Sequence, residues 1–518
     1  MLRREEVEIT IFEALFSAVA EEMGIVLQKS AFSPNIKERR DFSCAIFDGE
    51  GRLLAQAAHI PVHLGAMPHT LAAVRKAVEF EPDDIIITND PYAGGTHLPD
   101  ITLIKPVFLG QELAFFLTVR AHHADVGGQT PGSMPLATHI EEEGVLIKPR
   151  KLYKAGLLDH KFWKWFMSQV RNPEEREGDL RAQIAALKRG EVRLRELTDR
   201  YGLAYLQSRF SLLFSYASRL MEQLIRDIPK GTYLFEDYLD DDGLNKLPIP
   251  IHLKLHIKDD HVVLDFRNSA PQVETGLNAV RAVTCAAVYY VFFSLARGEI
   301  PQNQGAFYPL KILTQPGSVL DALYPAPVAA GNVETSQRVV DVVLGALAQA
   351  LPEEIPAASC GSMNNLAFGG VHQSKVFTYY ETIGGGMGAR PGLPGLSGVH
   401  THMTNTLNTP VEALERDFPV LVEKYGLRAR SGGSGLFRGG DGLVRRVRFL
   451  APATVTILSE RRRFAPYGLM GGKAGRRGQN ILYTQRKKRI LPGKVTLEVG
   501  PGDVIEIRTP GGGGWGKK

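Results

Sequence analysis

Cysteine is scarce in this sequence, which contains only three in 518 residues. They are Cys44, Cys285 and Cys360, which lie far apart and form no C-x-x-C pair. An odd number of widely spaced cysteines does not build a disulfide framework. This usage fits a protein of the reducing cytoplasm.

Long apolar runs are also missing. The sequence begins with charged residues at positions 3–8 in place of the apolar stretch of a signal peptide. The most apolar helix-like run, residues 279–295, is interrupted by Arg281, which favours a buried helix over a membrane span. The formal net charge of +5 is spread thinly, which argues weakly for anionic ligands and not specifically for nucleic acid. We expect a cytoplasmic protein that binds neither membranes nor nucleic acid.

Two common catalytic motifs are absent as well. The sequence has no G-x-x-x-x-G-K-[ST] phosphate loop, because residues 468–473 have the wrong spacing and Ala474 stands where Ser or Thr is needed. It has no G-x-S-x-G nucleophile elbow either. The sequence therefore shows neither a familiar ATP loop nor a serine-hydrolase nucleophile.

The length and the apolar pattern indicate several domains. At 518 residues, the chain is too long for one simple core. Helical spacing dominates residues 163–227, and short strand-like segments recur after residue 419. We predict a mixed α/β (α+β) multidomain fold with a long helical segment in the middle and a β-rich C-terminal part. The expected regions are an α/β region with the candidate site (1–150), a helical region (151–230), a mixed α/β region (231–360) and a β-rich region (361–518).

Two polar, glycine-flanked clusters bracket an apolar stretch at residues 101–119. The first cluster spans residues 89–100 and the second spans residues 120–128. The turn signal at residues 109–112, with β-rich sequence on both sides, predicts a hairpin. Because a hairpin folds its ends together, the two clusters are expected to meet.

The side chains in these clusters are of the types that bind divalent metals. His97 and Asp100 form an H-x-x-D pair in the first cluster. His122 and His123 would point to opposite faces of an extended segment, so only one should reach the same ion. We favour His97, Asp100 and His122 as ligands, with His123 or Asp125 beside them or touching substrate. The alternative is a polar cluster whose histidines hydrogen-bond locally.

The same stretch carries a family resemblance. The block N-D-P-Y-x-G-G-T-H-L-P-D, followed by H-H-x-D-x-G-G, resembles the hydantoinase B/5-oxoprolinase family. The blocks S-x-N-I-K-E-R-x-D-x-S at residues 33–43 and S-G-G-x-G-x-x-R-G-G at residues 431–440 extend it, as does the glycine-rich tail. The resemblance therefore covers nearly the whole chain. It implies a divalent metal ion (Mn, Zn or Fe) at His97, Asp100 and His122.

The resemblance also implies a function. It indicates the B-type component of an ATP-dependent hydantoinase/oxoprolinase-type amidohydrolase, in a hetero-oligomer with a hydantoinase A-type subunit that carries the ATP site. The A-type subunit would phosphorylate a cyclic imide or lactam, and this chain's metal would open the ring. His123 or Asp125 would be the catalytic acid or base. Two alternatives stay open: a component of an acetone- or acetophenone-type ketone carboxylase, and a non-catalytic scaffold for the A-type subunit.

Three further residues are candidate substrate contacts. Arg39 lies in the polar block at 33–43, where a surface salt bridge is the simpler interpretation. His63 is the best of three neighbouring histidines, the others being His59 and His69, and each of them could be a hydrogen-bonded structural residue. Arg438 could hold an anionic ligand or stabilise a turn.

Two charged runs have simpler interpretations. A carboxylate from residues 141–143 could complete a metal shell or act as a base, although a solvated acidic run is more common. The arginines at residues 461–463 are expected to be solvated.

Overall fold

The computed structural model describes residues 2–57, 60–485 and 487–518 of the chain. Within these ranges the protein has the mixed α/β architecture expected from the sequence, with several sheets and a β-rich C-terminal part. The long helical segment in the middle is also confirmed. The division into four regions stays a prediction.

The N-terminal region is built on a seven-stranded antiparallel sheet. Its strands are β1 (Phe42–Asp48), β2 (Leu53–Gln56), β3 (Ile85–Thr88), β4 (Asp100–Leu109), β5 (Glu112–His122), β6 (Arg150–Lys154) and β7 (Leu157–Leu158). They lie in the order β2-β1-β5-β4-β3-β6-β7. The predicted hairpin is confirmed as β4 and β5, and Gly110 in its turn has φ +63°, which favours glycine.

Helices cover this sheet. They are α1 (Leu2–Ser30), α2 (Pro34–Lys37), α3 (Ala66–Ala77), α4 (Ile140–Glu143), α5 (His160–Gln169), α6 (Pro173–Tyr201) and α7 (Leu203–Arg226). The buried side chains of α1 recur at helical spacing, and its Phe16 packs against Phe115 of β5 and Phe210 of α7. The sheet is therefore enclosed, and the central hairpin is almost wholly buried.

The middle of the chain forms a second, four-stranded sheet. Its strands β8 (Gly231–Leu239), β9 (Ile249–Ile257), β10 (Val262–Asp265) and β11 (Leu310–Leu313) lie in the order β11-β10-β9-β8. The region also contains α8 (Arg281–Leu295), α9 (Gln304–Phe307) and α10 (Ser336–Ala350), and α10 packs on β8 and β9. The apolar run noted in the sequence is α8, most of which is buried. Among the described residues, no helix combines the length and apolarity needed to cross a membrane.

The C-terminal region contains two further antiparallel sheets. One has the order β13-β12-β16-β19, and the other has the order β14-β15-β20-β17-β18. The elements are β12 (Asn365–His372), β13 (Lys375–Glu381), α11 (Val411–Asp417), β14 (Val420–Leu427), β15 (Leu443–Phe449), β16 (Ala453–Leu458), β17 (Gln479–Tyr483), β18 (Lys488–Leu491), β19 (Lys494–Val499) and β20 (Val504–Arg508). Apolar side chains of both sheets form a second hydrophobic core.

A buried ion-pair network joins α10 and β8 to the C-terminal region. Its three cations and three anions are Arg338, Arg461, Lys494, Asp237, Asp341 and Glu460. The expectation that the arginine run at 461–463 is solvated is wrong for Arg461, which is fully buried. Its guanidinium group donates to Asp237 (2.7 Å) and to Asp341, and these carboxylates explain why a charged side chain is buried here.

Candidate metal centre

Three side chains of metal-binding type meet at the open end of the β4–β5 hairpin. Asp100 begins β4 and His122 ends β5, and antiparallel pairing sets them directly opposite each other. His97 lies in the loop before β4, where its carbonyl accepts a hydrogen bond from the Asp100 amide (3.1 Å). The strand register and this turn together position all three side chains.

The three side chains are close together and buried. One nitrogen or oxygen atom from each lies within 4.8 Å of the others. The His97 and His122 ring centroids are 5.0 Å apart, and His97 Nε2 is 3.4 Å from Asp100 Oδ2. No described residue hydrogen-bonds to either ring nitrogen of His97, to Asp100 Oδ1 or to His122 Nε2.

Unpaired buried polar atoms point to a missing partner. Each such atom costs about 1–3 kcal/mol when nothing satisfies it. Two imidazoles and a carboxylate are the donor set that Zn, Mn and Fe accept, and three protein ligands leave positions open for water or substrate. The group formed by His97, Asp100 and His122 fits a divalent metal ion and could bind one.

Neighbouring side chains fix Asp100. Its Oδ2 accepts a hydrogen bond from the Thr96 hydroxyl and lies 3.3 Å from His63 Nε2. The other ring nitrogen of His63 lies 2.9 Å from Ser43 Oγ. Burial alone would raise the pKa of Asp100, but His97 and His63 outweigh it and hold the pKa well below its usual range. Asp100 is therefore ionised, as a metal ligand must be.

His122 is held from two sides. Its Nδ1 lies 3.0 Å from the side-chain amide of Asn35, a residue of the polar block before β1. The Tyr380 ring of β13 stacks on the imidazole, with centroids 4.8 Å apart and an interplanar angle of 11°. Burial lowers the pKa of His122 well below its ordinary value, and His97 lowers it further. The neutral ring keeps a lone pair available for a metal.

Arg39 lies beside this group but does not point into an open site. Its guanidinium group is fully buried and donates to Asn35 Oδ1 (3.2 Å), to the Tyr380 carbonyl (3.0 Å) and to Thr382 Oγ1 (3.1 Å). These contacts connect α2 to β13. They also position Asn35 and Tyr380, two residues that contact His122. Its predicted role as a substrate contact stays a prediction, and the observed contacts are structural.

Asp41 adds a carboxylate next to the three side chains. Its carbonyl accepts a hydrogen bond from the His122 amide (3.0 Å), and its carboxylate lies 3.8 Å from Arg39. Burial raises the pKa of Asp41, and the charge of Asp100 raises it further, whereas Arg39 and His97 oppose the shift. The Asp41 carboxylate is therefore electrostatically coupled to this group.

His123 and Asp125 face another part of the fold. As expected for an extended segment, His123 points away from its neighbour, and its Nε2 lies 3.0 Å from Gln183 Oε1 on α6. Burial lowers the pKa of His123 to about 4. The Asp125 carboxylate accepts hydrogen bonds from two amides in the loop 127–132 and from Arg171 (3.1 Å). Their assignment as acid or base stays a prediction, and these contacts favour structural roles.

The remaining candidates lie elsewhere. The Arg438 guanidinium pairs with Asp441 in the glycine-rich block, so its substrate role stays a prediction. In the acidic run, Glu143 is buried and accepts hydrogen bonds from the amides of residues 328 and 329 rather than joining the three ligands. His69 lies on α3 and is not part of the group, and His59 lies outside the described residues.

A cavity of about 210 Å³ lies two side chains away from this group, and none of the three ligand residues lines it. Ser43 lines it, and so connects it through His63 to Asp100. The other described lining residues are uncharged, and Gln56, Tyr290, Gln302 and Asn405 supply polar groups. Such a cavity suits a small, neutral, polar ring.

Sequence reasoning missed two parts of the site. Asn35 lies in the polar block at residues 33–43, but nothing in the sequence indicated that it contacts His122. Tyr380 was not indicated by the sequence, because it lies in an ordinary β-strand and contacts His122 across nearly half the chain.

Comparison with known proteins places the chain in context. "5-oxoprolinase 1" of Arabidopsis thaliana is 44% identical over 542 residues, covering 98% of this chain but 42% of that protein, so the chain spans well under half of its length. A putative D-/L-hydantoinase subunit of the B type, from Pseudomonas sp. (strain NS671), is 31% identical over 520 residues, covering 96% of this chain and 88% of that protein.

Two solved structures share the fold. The ATP-dependent caprolactamase from Pseudomonas jessenii superimposes with a TM-score of 0.93 at 28% identity, covering 99% of this chain and 91% of that chain. A nucleotide-free acetone carboxylase gives a TM-score of 0.92 at 19% identity, covering 99% of this chain and 76% of that chain, a likeness of fold alone. The sequence profile described as Hydantoinase B/oxoprolinase matches residues 5–518, and this chain belongs to that family.

Proposed function

We propose that this chain is the B-type component of an ATP-dependent amidohydrolase that opens a cyclic imide or lactam. The observation that carries the proposal is the buried group of His97, Asp100 and His122, whose ligand atoms have no partner among the described residues. An A-type partner would bind ATP and phosphorylate the ring carbonyl. This chain would then hydrolyse the C–N bond of the activated ring.

The named relatives support each part of this proposal. Three of these proteins have names that refer to a cyclic amide. They are the 5-oxoprolinase, the B-type hydantoinase component and the ATP-dependent caprolactamase. The Pseudomonas hydantoinase chain is named as one subunit of an enzyme, which supports a hetero-oligomer. The phosphate-loop motif is missing from this sequence, which is consistent with an ATP site on the partner.

The chain's own residues have distinct tasks in this proposal. His97, Asp100 and His122 would hold the ion, with Asp41 as a nearby carboxylate. When bound, a divalent ion would supply a Lewis acid that activates water and polarises the ring carbon. His63 would orient Asp100 and connect it to Ser43 at the cavity wall, where the ring would bind away from bulk water.

Metal analysis of the purified full chain tests this proposal. We would compare the wild type with His97→Ala and His122→Ala, and with His372→Ala, which removes an exposed histidine of β12. We expect near-stoichiometric Mn, Zn or Fe in the wild type and in His372→Ala, and loss of the ion in both site variants. An equal trace of metal in all four proteins would overturn the proposal.

A reconstituted complex separates the alternatives. If His97→Ala assembles with the A-type partner but loses ATP-dependent ring opening, the scaffold alternative fails. Formation of a carboxylated product from a ketone and bicarbonate, with no hydrolysis of any cyclic amide, would support the ketone carboxylase. The acetone carboxylase likeness concerns the fold only, so it does not favour that reaction.

A further inference from the structure

A second cavity, of about 660 Å³, lies among the C-terminal loops and is lined by five arginines. Arg428 follows β14, Arg462 and Arg463 follow β16, and Arg476 and Arg477 precede β17. We call this feature the arginine cavity. Its residues take no part in the candidate metal centre.

The guanidinium groups of the arginine cavity bond to neutral oxygens. Arg428 donates to the carbonyls of Arg477 (2.8 Å) and Thr509 (3.0 Å). Arg463 donates to the Lys246 carbonyl (2.9 Å), and Arg477 donates to the Arg463 carbonyl (3.2 Å). Carbonyl acceptors orient these side chains but leave their positive charges uncompensated.

Arg462 follows the same pattern at the base of the cavity. Its guanidinium group donates to the side-chain oxygens of Asn364 (2.7 Å) and Asn480 (2.9 Å). Within the part of the chain that the structure describes, no carboxylate oxygen lies within 4.0 Å of any of the five guanidinium groups. Burial lowers the pKa of Arg462 to about 10, against the opposing effect of more distant carboxylates.

The acids that line the arginine cavity are engaged elsewhere. The Asp240 carboxylate accepts hydrogen bonds from the amides of Arg462 (2.6 Å) and Phe464 (3.0 Å). Asp241 accepts from the Gly243 amide (3.0 Å) and lies 3.7 Å from Lys494 Nζ. These acids brace the loops and leave the arginines without a matching counter-charge.

A neighbouring cavity of about 560 Å³ provides an internal comparison. It shares Arg428 and Arg476 with the arginine cavity and adds Lys424, Arg446, Arg508 and Glu506. There Glu506 lies 3.3 Å from Arg446 and 2.6 Å from Arg508, so these two cations are paired. The arginine cavity differs because, among the described residues, none of its five guanidinium groups has a carboxylate partner.

We propose that the arginine cavity binds a small molecule through a phosphate group. Guanidinium groups match phosphate oxygens in charge and in their planar, two-pronged geometry. A concave volume of about 660 Å³ suits a small molecule better than the face of a protein. The phosphate source is either a free or small-molecule phosphate, such as the phosphate that an amide-phosphorylating reaction releases, or a nucleotide.

Calorimetric titration of the full chain tests this proposal. The probes are inorganic phosphate, pyrophosphate and ATP, each at about 0.15 M salt so that distant charges are screened. The test variant is Arg476→Ala/Arg477→Ala, since both residues are exposed and their removal should spare the fold. The matched control is Arg297→Ala/Arg416→Ala, which removes the same charge from exposed positions elsewhere. Arg463→Ala serves as a second test variant.

We expect at least one probe to bind the wild type and the control equally, and to bind both test variants about tenfold or more weakly, as loss of a charge-assisted contact predicts. Phosphate or pyrophosphate binding as tightly as ATP would identify the phosphate group itself as the ligand. Tighter ATP binding would identify a nucleotide.

Two results would overturn the proposal. One is that none of the probes binds at millimolar concentration, or that all binding is equal in the four proteins. The other is that a glutamate-rich peptide, titrated as a fourth probe, is the only probe that distinguishes the variants, which would indicate an acidic protein partner. Metal content serves as the independent readout, because failure here with an intact metal centre would leave the proposed function standing.

Discussion

The six charged side chains between α10 and the C-terminal strands form several ion pairs with one another, whereas the three ligand-type side chains at the end of the β4–β5 hairpin share one contact, between His97 and Asp100. In the ion-pair network, Arg461 reaches Asp237 and Asp341, and Glu460 receives both Arg338 and Lys494. In the hairpin group, ring nitrogens and a carboxylate oxygen are left without protein partners among the described residues. Both groups are buried to a similar degree.

This difference in pairing distinguishes a group that stabilises the fold from a group that is available to bind a ligand. A chain that buries charges for stability supplies counter-charges from its own residues, as the network does. In the hairpin group, the unpaired atoms belong to two imidazoles and a carboxylate, a donor set that fits a metal ion. Four experiments would break or sharpen this contrast.

The largest effect is expected from breaking the network. Arg461→Ala leaves Asp237 and Asp341 buried without their main counter-charge, which should lower the free energy of unfolding by about 3–5 kcal/mol. Arg267→Ala is the control, because Arg267 is exposed and its ion pair with Asp265 should contribute little to stability. Denaturant unfolding of both variants would measure this, and equal losses would contradict a structural role for the network.

Added metal should stabilise the folded protein, and only through the hairpin group. At about 100 times the dissociation constant, a bound ion should raise the free energy of unfolding of the metal-stripped wild type by about 2.7 kcal/mol. His97→Ala should gain almost nothing, because a ligand atom is missing. Thermal unfolding with and without a chelator would measure the difference. Equal stabilisation of both proteins would mean that the ion binds elsewhere.

Asn35 offers a finer test of how His122 is held. In the structure, the Asn35 amide nitrogen faces His122 Nδ1 at 3.0 Å. For Nε2 to bind an ion, the ring proton must sit on Nδ1, and the Asn35 amide must turn so that its oxygen accepts that proton. The same oxygen accepts from Arg39, and its second lone pair can serve the ring. We expect Asn35→Ala to weaken metal affinity by about 10–100-fold.

The matched variant for this test is Asn35→Asp. A carboxylate has two oxygens, one for each donor, so this variant should retain the affinity of the wild type. Competition with a metal-sensitive dye would measure it. Equal losses in the two variants would show that only the size of the side chain matters.

The fourth test concerns Glu334, which Asn365 connects to the Tyr380 side chain by hydrogen bonds. Its Oε1 accepts hydrogen bonds from the Met363 amide (3.0 Å) and from Asn365 (2.7 Å). Burial, with Glu460 nearby, raises the pKa of Glu334 to about 8. The folded state therefore holds a proton that the unfolded state releases above its own pKa of about 4.5.

Stability should consequently fall as pH rises from about 5 to above 8. Glu334→Gln mimics the protonated form, so its advantage in stability over the wild type should grow between pH 5 and pH 9, to at most about 5 kcal/mol. Unfolding across this pH range would measure the gap, with Glu412→Gln at the start of α11 as control. A gap that does not grow with pH would show that Glu334 is ionised in the fold.

The local parts of the candidate site were predictable from the sequence. The apolar, β-rich sequence of residues 101–119 and the glycine turn define the hairpin, and the strand register then brings His97, Asp100 and His122 together. The first helix, α1, follows from apolar spacing. These features depend on neighbours within a few residues.

The long-range parts were not predictable. Arg461 looks like a surface residue because its run contains three arginines, and its carboxylate partners lie 224 and 120 residues away. Two other contacts likewise depend on how separate regions pack. They are the stacking of Tyr380 on His122 and the hydrogen bond from Arg171 to Asp125. Residue type and spacing carry no information about such encounters.

The contact between Arg39 and Tyr380 also determines when the site can be completed. Arg39 donates to the carbonyl of a residue 341 positions further along the chain. Because synthesis adds about 5–20 residues per second, His97, Asp100 and His122 would be made roughly 10–50 seconds before Tyr380. During that interval, the ring that covers His122 does not yet exist. The candidate metal centre is therefore a late-maturing feature, and a chain truncated before Tyr380 would carry its ligands without the layer that encloses them.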